Sequence, residues 1–253
     1  MDVTVASRTG RSRAASEDRW VAVTRRAGLL LAVADGMGGT LDGAAAAEAV
    51  LAGLVECLDE AGLEVAVAAG HDRVRALATD TMPMPLRPGT TLTAAVLDGR
   101  RLRLAHLGDS SCWLLRRGRL RRLTEEHTHA AQLVRAGAVE PGSVAQRRLD
   151  GMLTRFAGMP GSALPQLATV RLRDGDRLLV ATDGVTRTLA VPALATLLAD
   201  PAVVAADLVR AAADAGGRDD ATALLASVPA EVPADMDTTR PDLNTRYVAE
   251  GAR

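Results

Sequence analysis

Apolar and polar residues change rhythm several times along this chain, and each change marks an element. Residues 29–34 (LLLAVA) form an apolar run that halts at Asp35-Gly36, the pattern of a buried strand ending in a turn. Val50, Leu51, Leu54, Val55 and Leu58 then recur at helical spacing, with Gly62 as a terminator. A second helical stretch covers about residues 64–79, and the prolines of residues 82–89 (MPMPLRPG) mark a loop.

The rhythm then shortens to a period of two. Residues 91–97 and 100–107 alternate on either side of Asp98-Gly99, a strong hairpin signal. Residues 112–117 and 119–124 predict a second hairpin turning near Gly118. Residues 128–151 are polar and of mixed pattern, which predicts a helical insertion or flap. Residues 168–173 and 177–181 read as another strand pair around Asp174-Gly175-Asp176. Helices at about 191–199 and 201–214 precede a last strand, residues 221–228 (ATALLASV). From about Pro229 the periodicity fades, so we expect a domain over residues 1–229 and a polar, disordered tail over 230–253. Strands, helices, hairpins, helices and a strand in that order predict an antiparallel α+β layered fold rather than an alternating βαβ one.

Composition narrows the function classes. With aromatics at 2%, the core is built from Ala, Val and Leu, and few rings are available on which nucleic-acid bases could stack. A net charge of −1 gives no pull toward polyanions. All 30 basic residues are Arg, which excludes a catalytic lysine. Cys57 and Cys112 are too few for a disulfide scaffold and fit core positions. Neither has an Arg six positions on, as cysteine phosphatases require: Leu63 and Gly118 stand there. Uncharged residues 156–170 contain Pro160, Gly161 and Pro165 and are shorter than the roughly 18 residues of a spanning helix. No secretory segment opens the chain, so the expectation is a soluble, cytoplasmic monomer without membrane or nucleic-acid partners. Among the histidines, His71 is expected exposed on a helix, His106 packed in a strand and His127 in a loop.

Four aspartates stand at strand ends. Asp35 follows residues 29–34, Asp183 follows 177–181, Asp219 precedes the last strand, and Asp18 precedes residues 20–23 (WVAV). Carboxylates delivered to one sheet edge repel one another, and a divalent cation relieves that repulsion; all-oxygen ligation suits Mg²⁺ or Mn²⁺. Asp-Gly is also a common turn, and Asp98 and Asp174, between alternating runs, are read as hairpin turns. Asp35 and Asp183 differ because each follows an apolar strand without a second alternating strand directly after it.

These residues carry a family resemblance. Residues 13–18 (RAASED), 33–39 (VADGMGG), 89–91 (GTT), 107–110 (LGDS), 123–128 (LTEEHT), 153–155 (LTR), 181–185 (ATDGV) and 217–222 (GRDDAT) resemble, in order, eight segments of the metal-dependent protein phosphatases of type 2C. The resemblance spans about residues 5–228. It implies a central sandwich of two antiparallel sheets flanked by helix pairs. It also implies that Asp35 bridges two Mn²⁺ or Mg²⁺ ions. Asp183 and Asp219 would complete one ion's protein ligands; Asp18 and the Gly36 carbonyl would serve the other, with Glu17 acting through water. Arg13 would hold the substrate phosphate, for which its planar fork is suited.

On this resemblance the chain hydrolyses phosphoserine or phosphothreonine by direct attack of a metal-held water, and its partners are phosphoproteins, a Ser/Thr kinase among them. Met37 stands where some relatives carry a histidine proposed as general acid. Glu126 stands where bacterial relatives have an Asp linked to a third ion. The rival from another class is a catalytically silent relative that binds phosphoproteins, against which the four aspartates weigh. A nuclease-type phosphoesterase is disfavoured by the sparse basic and aromatic surface.

Overall fold

The computed structural model describes residues 1–11, 13–37, 42–78 and 87–229. Among the described residues, eleven strands form two antiparallel sheets. In the first, β1 (Asp2–Arg8), β11 (Ala221–Ser227), β10 (Arg177–Ala181), β7 (Ser111–Arg116) and β8 (Arg119–Arg122) lie in that order. The second runs β2 (Asp18–Arg25), β3 (Gly28–Met37), β5 (Leu92–Asp98), β6 (Arg101–Leu107) and β9 (Gln166–Arg171), with the short β4 (Gly89–Thr90) paired to the end of β3.

Alternation along the strands builds three cores. Leu30, Ala32 and Ala34 of β3 pack under helix α1 (Asp42–Ala76), whereas Leu31 and Val33 face the other sheet. Leu178 and Val180 of β10 also point between the sheets, while Leu179 and Ala181 pack under α5 (Val191–Ala199) and α6 (Ala205–Asp214). The result is helix, sheet, sheet, helix, the expected α+β sandwich. Both faces of β3 are buried, which is why its sequence reads as a continuous apolar run.

Several boundaries differ from the sequence expectation. β3 does not stop at Asp35; it continues through Met37, because Gly36 and Met37 find partners in Thr90 and Gly89. α1 joins both predicted helices through a break at Gly62, whose φ of 81° lies in the left-handed region. The first predicted hairpin forms, with Asp98 paired to Arg101 and Gly99-Arg100 as the turn. The second turns at Arg117 and Gly118, both at positive φ (50° and 74°).

The segment around Asp174-Gly175 is not a hairpin. β9 pairs with β6 in one sheet and β10 with β7 and β11 in the other, so this corner carries the chain between sheets. The signal was in the burial: β9 alternates as an edge strand, while β10 is buried throughout. Residues 128–151 hold two short helices, α2 (His129–Arg135) and α3 (Val144–Leu149). The one-turn α4 (Asp183–Thr186) and edge strand β1 were not foreseen. The expected tail, most of the proline loop and residues 38–41 of the Gly-rich run lie outside the described residues. No helix among the described residues is long and apolar enough to cross a membrane.

Candidate metal centre

Strand parity brings the acidic residues together. In β2, Trp20 and Ala22 face the inter-sheet core, so Asp18, two residues earlier, points the same way. In β3, Leu31 and Val33 do so, and Asp35 follows in the same phase. Asp18 and Asp35 are directly opposite each other in the β2–β3 ladder. From the other sheet, Thr182 and Thr222 continue the inward phase of Val180 and Leu224. Both threonine hydroxyls donate to Asp18 Oδ2, at 2.9 Å and 2.7 Å. Asp18 Oδ1 is buried and has no hydrogen-bond partner.

The backbone of Asp35 is fixed from three sides. Its N–H donates to Thr91 Oγ1 at 2.9 Å, and its carbonyl accepts from the Thr91 N–H at 2.9 Å and the Thr90 hydroxyl at 3.0 Å. Thr91 in turn shares a 2.7 Å hydroxyl contact with Ser110. Three of the recognised segments thus converge on one aspartate. The glycines after Asp35 and Asp183 are demanded by close packing rather than by turns. A Cβ on Gly36 would stand 2.1 Å from the Gly43 carbonyl oxygen, and one on Gly184 1.9 Å from that of Asp220. Asp183 opens α4 at the end of β10, and its Oδ1 is also buried and unpartnered.

Electrostatics mark the cluster as one unit. Burial pushes Asp35 well above the usual carboxylate range, and Asp18, Asp183, Asp109 and Asp219 push it further. Burial raises Asp18 to about 7; the threonine bonds oppose this, while Asp220 and Asp183 add to it. Asp183 is raised by burial, against the pull of Arg187, and Asp219 raises it further. Asp109 is raised to about 6, first by burial and then by Asp183.

The remaining expected residues lie around this unit. Glu17 is buried and forms an ion pair with Arg13, whose guanidinium also reaches Asp219 at 3.3 Å and Asp220 at 3.6 Å. Asp219 is half-exposed at the rim. Glu126 pairs with Arg122. Residues that sequence reasoning passed over shape the site as much. Asp220 accepts from the Gly10 N–H at 2.7 Å and the Glu17 N–H at 2.8 Å, tying the N-terminal loop to the start of β11. Arg187 bridges Asp109 and Asp183. His71, expected exposed, is buried, with Nδ1 accepting from the Gly158 N–H and Nε2 facing the Gly161 carbonyl. Its loop partners lie far along the chain, so helical position alone could not reveal them.

Among the described residues, no three His, Cys, Asp or Glu side chains already meet around one point. The donor chemistry nonetheless fits an oxygen-ligated divalent ion. Asp18 and Asp183 each hold a buried, unpartnered carboxylate oxygen, and like-charge repulsion around Asp35 is what such an ion removes.

Fold and site define a class: a two-sheet sandwich with flanking helices and a carboxylate cluster where the sheet ends meet. Residues 8–225 match the family profile of protein phosphatase 2C, and the chain belongs to that family. It is 34% identical over 244 residues to the serine/threonine protein phosphatase PstP of Mycobacterium tuberculosis, covering 92% of this chain and 46% of that protein. The chain therefore spans about half the length of that relative. It is 28% identical to the protein phosphatase PhpP of Streptococcus pneumoniae, covering 90% of this chain and 98% of the relative. The crystal structure of the Mycobacterium tuberculosis phosphatase PstP/Ppp superposes with a TM-score of 0.78 at 33% identity, over 90% of this chain and 98% of that one. The PstP catalytic domain in complex with two manganese ions gives a TM-score of 0.77 at 33% identity, over the same 90% and 98%.

Proposed function

We propose that this chain is a metal-dependent protein phosphatase that hydrolyses phosphoserine and phosphothreonine in proteins, with Mn²⁺ or Mg²⁺ as cofactor. The observation that carries the reading is Asp18. One of its oxygens is held by Thr182 and Thr222, and the other is buried, bare and beside Asp35 and Asp183. A carboxylate aimed in this way by the opposite sheet is a ligand prepared for a cation. Membership in the phosphatase 2C family and the two manganese ions of the PstP catalytic domain support the same assignment.

In this reading Asp35 would serve both ions; Asp183 and Asp219 would complete the protein ligands of one, and Asp18 and the Gly36 carbonyl those of the other, with Glu17 helping through water. Bound there, the pair supplies Lewis acidity and a water acidified toward neutrality. The chain's own residues position and neutralise. Arg13, now shared among Glu17, Asp219 and Asp220, exchanges these carboxylates for the phosphoryl oxygens of substrate, a bidentate contact for which the guanidinium fork is built. Thr90, Thr91 and Ser110 keep the backbone of Asp35 fixed while charge moves. No covalent nucleophile takes part: Cys112 is buried, and burial pushes its thiol far from ionisation.

The natural partners are phosphoproteins, a Ser/Thr kinase and its targets among them, met by a cytoplasmic monomer. Residues 1–229 form the phosphatase domain, with 128–151 as a flap beside the site. The test is manganese-dependent hydrolysis of a phosphothreonine peptide, abolished in Asp183→Asn. A well-folded chain without activity at saturating Mn²⁺ sinks the reading.

A further inference from the structure

On the side of Asp109 and Asp183 the acidic cluster has an arginine built into it. Arg187 sits one helical turn after Asp183, with its N–H bonded to the Asp183 carbonyl at 2.7 Å. Its Nη2 donates to Asp109 Oδ2 at 2.6 Å, and its Nη1 lies 2.9 Å from Asp183 Oδ2. Asp109 is 7% and Asp183 8% exposed, so a single guanidinium closes two buried carboxylates from different elements. Glu126 and Asp150 also act on Arg187 electrostatically. Asp183 is thereby divided: Oδ2 faces Arg187, and Oδ1 stays buried and unpartnered.

The neighbouring acid is neutralised in the same manner. Glu126 pairs with Arg122, whose Nη2 also donates to the Asp109 carbonyl at 3.2 Å and whose guanidinium lies 5.6 Å from the Trp113 ring centroid. Asp109, Asp183 and Glu126 are neighbouring carboxylates that could hold an ion beside the two-metal core. Each is engaged by an arginine, a group that keeps its charge at every working pH. A third divalent ion would have to displace these guanidiniums or sit against their charge, so the residues present do not fit one.

We propose that Arg187 is a resident substitute for a third metal ion: it holds Asp109 and positions Asp183, leaving exchangeable sites for two ions only. The inference rests on the functional reading above, in which Asp183 belongs to the two-metal core. It differs from the role that the family resemblance gives to the position of Glu126. Arg187 is a positioning residue here, acting through Asp183.

The test counts ions. The metal-stripped chain of residues 1–253 is titrated with Mn²⁺, following free Mn²⁺ by electron paramagnetic resonance and heat by calorimetry. Wild type is expected to saturate at two ions. Arg187→Gln is expected to gain a third, at least tenfold weaker than the first two, and Asp109→Asn in that background to lose it again. Arg187→Lys, which keeps the charge, should stay at two. Three ions in the wild type overturn the inference without touching the phosphatase reading, and this count needs no variant to fold. A folded Arg187→Gln that still binds two also overturns it. A wild type that binds no Mn²⁺ removes the functional reading itself, and the inference with it.

Discussion

Thr222 of the first sheet and Asp18 of the second meet across the sandwich, the threonine hydroxyl donating to Asp18 Oδ2 at 2.7 Å. The bond leaves Asp18 one committed and one free oxygen. Thr222→Val keeps the shape of the side chain and removes the donor. The expected result is a folded protein with Mn²⁺ affinity lowered about 10–100-fold, the usual consequence of losing an outer-shell partner. Titration of the metal-stripped variant checks this, and an unchanged affinity would show that Asp18 is aimed by other means.

Protons and metal compete for the same carboxylates, which fixes the sign of the pH dependence. Asp18 is raised from 3.8 to about 7, so the folded, metal-free protein binds this proton more tightly than the unfolded chain does. That contribution to stability is full below about 3.8 and is lost as pH rises toward about 7. His106 acts oppositely. It is buried between the Thr93 hydroxyl and the Glu125 carbonyl and lowered from 6.5 to about 3, so its contribution is present above 6.5 and lost as pH falls. Comparing melting temperatures with and without Mn²⁺ cancels the histidine, which is common to both states. The stabilisation by Mn²⁺ should grow as pH rises from about 5 to about 8. A shift that is flat over this window would contradict the assignment of Asp18 as a ligand.

Asp220 ties two loops with a pair of hydrogen bonds to the Gly10 and Glu17 N–H groups. Asp220→Ala leaves both donors unpaired next to a buried site. Chemical denaturation should show a loss of about 3 kcal/mol, with Asp220→Asn losing less because its amide oxygen can still accept one bond. Equal losses for the two variants would mean that charge rather than hydrogen bonding matters there.

Gly184 tests close packing against turn chemistry. Its missing Cβ would fall 1.9 Å from the Asp220 carbonyl oxygen, and that contact is with backbone that cannot swing aside. Gly184→Ala should cost on the order of 3 kcal/mol or more and weaken Mn²⁺ binding, since the start of β11 must shift. Gly175→Ala is the contrast: no atom lies within 4 Å of its Cβ, and only its positive φ of 74° opposes the change. A milder loss is expected there.

Much of this arrangement was legible in the sequence because its signals are local. The run before Asp35 and the alternation around Asp98 and Gly118 each depend on neighbours a few residues away. The acidic cluster was legible for a related reason: parity carries the inward phase of Leu31 and Val33 on to Asp35. What escaped depends on contacts distant in sequence. Whether β9 and β10 pair is decided by their other neighbours, and the Asp-Gly between them looks the same at a hairpin and at a corner between sheets. Arg187 was passed over because arginine near an acidic motif reads as surface charge until its two partners are seen. β1 did carry a cue in Val3 and Val5, which pack into the inter-sheet core.

The site draws Asp18 and Asp35 from one sheet and Asp183, Thr182 and Thr222 from the end of the other, so it works as a vernier between them. Any slip of one sheet over the other is read out as misalignment of carboxylates. The inter-sheet layer includes small residues such as Ala95 and Ala226, both fully buried. Enlarging one of them, as in Ala226→Leu, would wedge the sheets apart at a distance from any ligand. Its first symptom would be slackened grip on metal, well before the sandwich itself came undone.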